Sequence, residues 1–336
     1  MHFSFLAQRV IQALVTLLTV SLVSFALMKS LPGDPLDILL GSPQKDIAPQ
    51  ELDTLRRELG LNQDPVKQYS LWLASWLAPA RDENLALGLS YRDGRPVKEV
   101  IMERVPATLA LCGLALVLSF SLGIALGALL AYLRLRGERS PAVRSLSLVV
   151  SAALAGFYAM PAFWLAFLLV AALALRPDLY PPPIFGISAP GKDVDPTILR
   201  YLLPPALILS LRRLVKVALY VKELALQELS SPYVLSALAK GLSLFQVTCR
   251  HVLKNCLVPV VNLLGLSAPS LVGGSVLIET IFCLPGLGRL SVEAAFGRNY
   301  PVLLSLSMLY GTVVVVASFA ADCLSRSLDV RLKEGN

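Results

Sequence analysis

Residues 107–132 read ATLALCGLALVLSFSLGIALGALLAY, a run with no charged side chain and no proline. A helix needs roughly 20 apolar residues to cross the hydrocarbon of a bilayer at 1.5 Å rise per residue, and this run exceeds that length. It shows no period-2 alternation, so it reads as a helix and not as a barrel strand. Helices and closed barrels are the only structures that cross, because unpaired backbone amides are too costly in lipid. Gly123 and Gly127 stand four apart within the run. That spacing lets a second helix approach closely, a packing role and no more.

Comparable runs recur on both sides of it. The first extends from about Val10 to Met28. Arg9 precedes it, yet the apolar stretch is longer than that of a cleaved leader and no small-residue cleavage site follows, so an uncleaved helix is expected. Further spans are expected at about Leu146–Leu175, Leu202–Leu224, Val260–Phe282 and Val302–Leu324, with Pro161 kinking the first of these. Composition agrees. Apolar residues make up 55% of the chain and charged residues 16%, against about 25% charged in soluble domains; the mean hydropathy is +0.66. The predicted fold class is therefore all-α, a polytopic membrane protein with about six transmembrane helices.

The predicted organisation is a first transmembrane helix in residues 1–29, an extracytoplasmic subdomain in residues 30–104, and a core of five transmembrane helices in residues 105–336. The subdomain holds the turn signal Leu31-Pro32-Gly33-Asp34-Pro35 and an amphipathic run at Gln50–Leu59. Trp72 and Trp76 share one helical face there, which suits a membrane surface.

Basic residues orient the chain. With a cytoplasmic N-terminus, the inner segments hold Arg9, Arg134, Arg136, Arg139, Arg144, Lys222, Lys240, Arg250, Lys254, Arg326, Arg331 and Lys333. The short outer loops hold only Arg176, Lys192, Arg200, Arg289 and Arg298. Retention of Lys and Arg on the cytoplasmic side then places both termini inside. The same bias accounts for the net charge of +7 without any nucleic-acid partner. The five cysteines are scattered with no C-x-x-C pair, so they do not fix a redox compartment.

The inner loop between the fourth and fifth spans is too structured to be a mere connection. Ser231-Pro232 reads as an N-cap followed by proline at the first helical position. Lys240-Gly241 supplies a cation in the last turn and a glycine just past it. Ser243 and Gln246 then form a capping box opening a second helix. Two short helices are expected, about Pro232–Lys240 and Leu244–Cys256. They could rest on lipid as interfacial helices or present a docking surface to a cytoplasmic partner.

Here the chain resembles a known family. The run Tyr233-Val234-Leu235-Ser236-Ala237-Leu238-Ala239-Lys240-Gly241-Leu242-Ser243, continuing to Arg250-His251-Val252-Leu253-Lys254-Asn255 and Pro259, is similar to the cytoplasmic loop of binding-protein-dependent ABC importer permeases. The dipeptide/oligopeptide/nickel branch is the nearer match. Gly60-Leu61 with Pro65-Val66, Gln68-Tyr69 and Trp72-Leu73, and Gly88-Leu89-Ser90-Tyr91 through Gly94-Arg95-Pro96-Val97 to Arg104–Leu109, resemble the first outer loop. Pro161, Phe163-Trp164-Leu165 resembles the third helix, and Glu279, Ile281-Phe282, Pro285-Gly286-Leu287-Gly288 the stretch after the fifth. Two departures stand out. Asn299 occupies a usually acidic place, and Leu328-Asp329-Val330-Arg331 replaces the common Asp-Pro-Arg.

The resemblance implies an ABC importer type I-like permease fold in the bacterial plasma membrane, with cytoplasmic coupling helices at about residues 230–256. It implies a translocation path for a peptide, nickel chelate or similar small solute. The implied partners are a second homologous permease, two cytoplasmic ATP-binding subunits and an extracytoplasmic solute-binding protein, with ATP and Mg on the ATPases and no cofactor on this chain. Tyr233, Ala237, Ala239, Lys240, Gly241, Leu242, Ser243, Arg250, His251 and Asn255 then form the ATPase-docking loop. An ATP-independent secondary transporter is the alternative; the internal repeats such transporters often carry are not visible between the halves.

Span four carries Arg212, Arg213 and Lys216 near its middle. Each would cost about 2.5–3.5 kcal/mol at a bilayer centre on insertion scales, so they are expected to avoid lipid. Either they make the path attractive to an anionic or carboxylate-bearing solute, or they pair with acidic groups of the second permease. Glu279, with Phe282, Pro285 and Gly286, marks a candidate outer gate, or Glu279 simply caps a helix end. Gly186-x-x-x-x-Gly191-Lys192 mimics a phosphate-binding loop but ends in Asp193 and lacks the strand–helix context. His2 and His251 are the only histidines. With no Cys/His or carboxylate cluster at metal-ligand spacing, no metal or catalytic site is expected.

Overall fold

The computed structural model describes residues 3–30, 54, 56–57, 62–77, 88–137, 140–175 and 197–328. The turn at 31–35, most of the amphipathic run at 50–59, Gly60-Leu61, the outer loop at 176–196 and residues 329–336 lie outside them. The described chain is helical. An isolated bridge between Leu89 and Pro96 is its one extended pairing. The helices are α1 (Phe3–Ser30), α2 (Pro65–Leu77), α3 (Val97–Met102), α4 (Val105–Gly137), α5 (Pro141–Ala159), α6 (Ala162–Ala174), α7 (Thr197–Leu229), α8 (Pro232–Ala239), α9 (Leu244–Val247), α10 (Leu253–Ile281), α11 (Leu287–Phe296) and α12 (Tyr300–Leu328).

Four stretches, Ala7–Ser30, Val97–Gly137, Pro141–Ala159 and Tyr300–Cys323, are long and apolar enough to cross a membrane. Helix α7 has 33 residues and α10 has 29. Both exceed the length a bilayer needs, although Arg212, Arg213 and Lys216 interrupt the apolar run of α7.

The third span departs from expectation. Instead of one kinked helix over Leu146–Leu175, the chain breaks between α5 and α6. Met160 and Pro161 are extended, with ψ of 136° and 132°. Proline pushes the preceding residue out of the α region and lacks the N–H that would continue the ladder. The 13-residue α6 is too short to cross alone.

The chain divides into two compact units. One comprises Met1–Ala107, Ala189–Gly191 and Pro285–Val316; the other comprises Thr108–Ser188, Lys192–Leu284 and Ala317–Asn336. In the first, α2 packs on α1. The Tyr69 ring meets Phe25 edge-on at 5.3 Å, and its hydroxyl lies 2.8 Å from Ser21 Oγ. Val97, Val100 and Ile101 of α3 share an apolar cluster with Leu287, Leu290, Ala294, Val302 and Leu306.

In the second unit, three apolar clusters run along the bundle. Leu111, Cys112 and Ala115 of α4 pack with Ala166, Leu202, Ala206, Ile278 and Phe282. Phe120, Val217, Val221 and Val260 follow, and then Ala131, Ala225, Val234, Val247, Val252 and Cys256. Gly123 and Gly127 set the approach of α4 to α7. A Cβ at Gly123 would lie 2.8 Å from the Val217 Cβ, and one at Gly127 would lie 2.5 Å from the Ala218 carbonyl oxygen. Only glycine fits at these distances, the packing role expected of the pair.

Candidate functional site: the inner loop and a buried polar cluster

The inner loop takes its shape from its caps. Helix α8 starts with Pro232 at its first position. It ends in a Schellman motif, with Leu242 N–H donating to Ala237 O at 3.3 Å and Gly241 N–H to Leu238 O at 2.9 Å. Gly241 has φ +87°, the left-handed conformation in which glycine carries no Cβ penalty. The capping box forms as expected: Gln246 N–H donates to Ser243 Oγ, and Ser243 N–H to the Gln246 carboxamide oxygen.

The second short helix does not end at Cys256. Helix α9 passes through a π turn, Thr248–Val252, straight into α10. No glycine or turn dipeptide separates the two, and Pro259 sits within α10, so the expected boundary has no breaker to create it.

Tyr233 and Asn255 come together with a residue that sequence reasoning missed. The Tyr233 hydroxyl donates to Glu228 Oε2 at 2.7 Å. Asn255 Nδ2 reaches the same oxygen at 3.0 Å and the Tyr233 oxygen at 3.2 Å. One carboxylate at the end of α7 thereby ties α8 to the start of α10. The Tyr233 phenol is pushed up to about 12 by desolvation and by its bond to Glu228, so it stays a donor at neutral pH. Glu228 announces itself only as a lone acid next to the loop, with no motif around it.

The rest of the loop faces outward. Ala239, Lys240, Gly241, Leu242, Ser243 and Arg250 are exposed, while Ala237 and His251 are half-buried. Leu235 and Phe245 expose 65% and 62% of their surface, and residues 231–256 contain no acidic side chain. An apolar patch of this kind, ringed by cations, marks a surface awaiting a partner or a membrane.

Of the span-four cations, Arg212 and Lys216 are exposed one turn apart, and Arg213 is partly buried. The Arg212 guanidinium lies over the Tyr158 ring at 5.3 Å, a cation–π contact. Glu279 is fully buried, and the Thr108 hydroxyl donates to its Oε1 at 2.9 Å. Cys112 hydrogen-bonds Ser275 beside it and lies within electrostatic reach of both Glu279 and Arg213. Glu279 is thus more than a helix cap, since its carboxylate belongs to a buried polar cluster shared by α4 and α10. Phe282 is buried in the apolar cluster next to it. In the other unit, Pro285 is half-buried and Gly286 caps α11. Thr108 and Ser275 were also missed, because isolated hydroxyl residues in apolar runs carry no pattern.

Asn299 has a structural reason to replace an acid. Its Oδ1 accepts from Tyr91 N–H at 3.1 Å, and its Nδ2 donates to Ser90 Oγ at 2.8 Å. A carboxamide serves as acceptor and donor at once.

Comparison with known proteins agrees with this architecture. The family described as binding-protein-dependent transport system inner membrane component matches residues 123–334. The N-terminal region of such membrane components matches residues 2–112. This chain belongs to that family.

A protein of Brucella melitensis biotype 1 named as a peptide transport system permease is 34% identical over 333 residues, covering 99% of each chain. The oligopeptide transport system permease protein AppB of Bacillus subtilis is 29% identical over 331 residues, covering 98% of this chain and 99% of its own. A chain of the MetNI methionine ABC transporter, solved in inward-facing conformations, shares the fold with a TM-score of 0.54 at 21% identity, over 70% of this chain and 98% of that one. The protein is therefore a permease component of an ABC importer, a multi-pass protein of the bacterial plasma membrane in a transport system that depends on a binding protein. The secondary-transporter alternative is set aside.

Proposed function

We propose that the chain forms half of a peptide translocation path, paired with a second homologous permease. Two cytoplasmic ATPases, carrying the ATP and Mg, engage the loop from Tyr233 to Asn255, and an extracytoplasmic binding protein delivers the solute. The names of the relatives favour a peptide over a nickel chelate.

The observation that carries the docking role is the Glu228 link. A surface that only rests on lipid needs no rigid tie to two spans, whereas a lever that transmits nucleotide-driven closure does. Helix α8 has both the exposed apolar face and the tie. Arg212, Arg213 and Lys216 supply positive potential to the path for a carboxylate-bearing peptide. Glu279 and Phe282 contribute to the outer gate.

The test is affinity purification of the tagged protein from its native membrane in mild detergent, with mass spectrometry of what accompanies it. A second permease and ATPases are expected. Reproducible recovery of the protein alone, in a detergent that preserves such complexes, would refute the assembly.

A further inference from the structure

A cavity of ≈ 890 Å³ opens at the inner-loop end of the second unit, within the ~300–1,000 Å³ typical of small-molecule sites. Its lining mixes apolar side chains, Leu135 of α4, Val143 of α5, Leu226 and Leu229 of α7, and Val234 and Leu238 of α8, with the polar Arg136, Ser140, Ser230 and Ser243. Tyr132 and Phe245 also line it, in edge contact at 6.2 Å, and the Arg136 guanidinium lies 5.4 Å above the Tyr132 ring. A smaller cavity of ≈ 200 Å³ beside the same α4–α5 turn is lined by Arg134, Gly137, Arg144 and Ser147. Among the described residues no carboxylate pairs with Arg134, Arg136 or Arg144, and none lines either cavity.

We propose that the larger cavity is a binding site for an anionic phospholipid of the inner leaflet, with its phosphate on Arg136 and an acyl chain along Leu135, Val143, Leu226 and Leu229. The placement in the inner leaflet rests on the cytoplasmic orientation of the loop. Three arguments favour this occupant. Guanidinium groups match phosphate oxygens in a fixed fork. Basic pockets between helices on the cytoplasmic side take anionic head groups. Finally, α5, which supplies Val143, exposes Leu146, Leu148 and Val149 by 52%, 56% and 65% in its next turns, a face suited to the neighbouring acyl chains. A soluble anion would use Arg136 but leave the apolar part of the lining unexplained.

The purified complex, stripped of lipid, is titrated with dioleoylphosphatidylglycerol or dioleoylphosphatidylethanolamine and read by native mass spectrometry. The phosphatidylglycerol adduct is expected to dominate. Arg136→Gln should weaken it about fivefold. Val143→Asp, which sets a carboxylate on the wall of the larger cavity and keeps Arg136, should also remove the adduct, whereas Lys67→Gln on α2 should not. Equal binding of the two lipids, or unchanged binding in Val143→Asp, would overturn the site. Ser140→Cys, labelled with a membrane-impermeant maleimide, tests the orientation separately. Labelling only from the outer face would refute the topology whatever the lipid result.

Discussion

The Tyr233 hydroxyl donates to Glu228 Oε2 at 2.7 Å, linking the first turn of α8 to the last turn of α7. Asn255 shares the carboxylate oxygen from the start of α10. A displacement of α8 therefore moves both spans. Tyr233→Phe removes a charge-assisted bond worth roughly 1.5–3 kcal/mol without leaving a cavity. Uptake driven by a given rate of ATP hydrolysis should fall several-fold in proteoliposomes while the complex still assembles. The phenol ordinarily titrates near 10 and is raised to about 12 here. Its contribution is thus complete below about pH 10 and lost as pH rises through about 12, so the defect should be constant across the neutral range. Unchanged coupling in Tyr233→Phe would remove the link from the mechanism.

Gly127 has no room for a side chain. Gly127→Ala places a methyl 2.5 Å from the Ala218 carbonyl oxygen, and overpacking of this kind costs about 1–3 kcal/mol. Gly127→Val should be worse. Lower thermal stability of the detergent-purified protein, graded from Ala to Val, is expected. Gly113, with open space around its Cβ position, should tolerate alanine.

Most of this fold was legible because membrane crossing imposes a length and an apolar continuity that few other structures share. The caps of the inner loop were legible too, since Ser231-Pro232, Lys240-Gly241 and Ser243–Gln246 act within a few residues. What the chain does across distance was not legible. Glu228 reaches Asn255 and Thr108 reaches Glu279 only after the helices pack. The run of α9 through the π turn into α10 depended on the absence of a glycine or turn dipeptide between Val247 and Pro259. Pro161 was read as a kink, but its effect on Met160 was enough to end α5 outright.

Glu279 separates two roles that a carboxylate can hold. Glu279→Gln keeps an acceptor for the Thr108 hydroxyl, whereas Glu279→Ala removes that buried hydrogen bond at a cost of about 1–3 kcal/mol. Thermal unfolding should show the alanine variant clearly destabilised and the glutamine variant near wild type. If the two fell together, the charge of the carboxylate itself would be the stabilising feature.

Arg212 and Lys216 project from one exposed face of α7. Arg212→Ala and Lys216→Ala should each reduce uptake of an acidic peptide more than that of a basic one, with the complex intact by size-exclusion chromatography. Equal loss for both peptides would point to pairing with the second permease, and no loss would exclude the path role.

The most direct measurement is photo-cross-linking from Leu235, the most exposed apolar residue of α8. A benzophenone amino acid is incorporated there, and at Val149 on α5 as a control. Cross-linking of the 235 probe to an ATPase subunit, with none from 149, is the expected result. A complex that contains the ATPases but yields no such adduct from 235 would contradict docking on this loop.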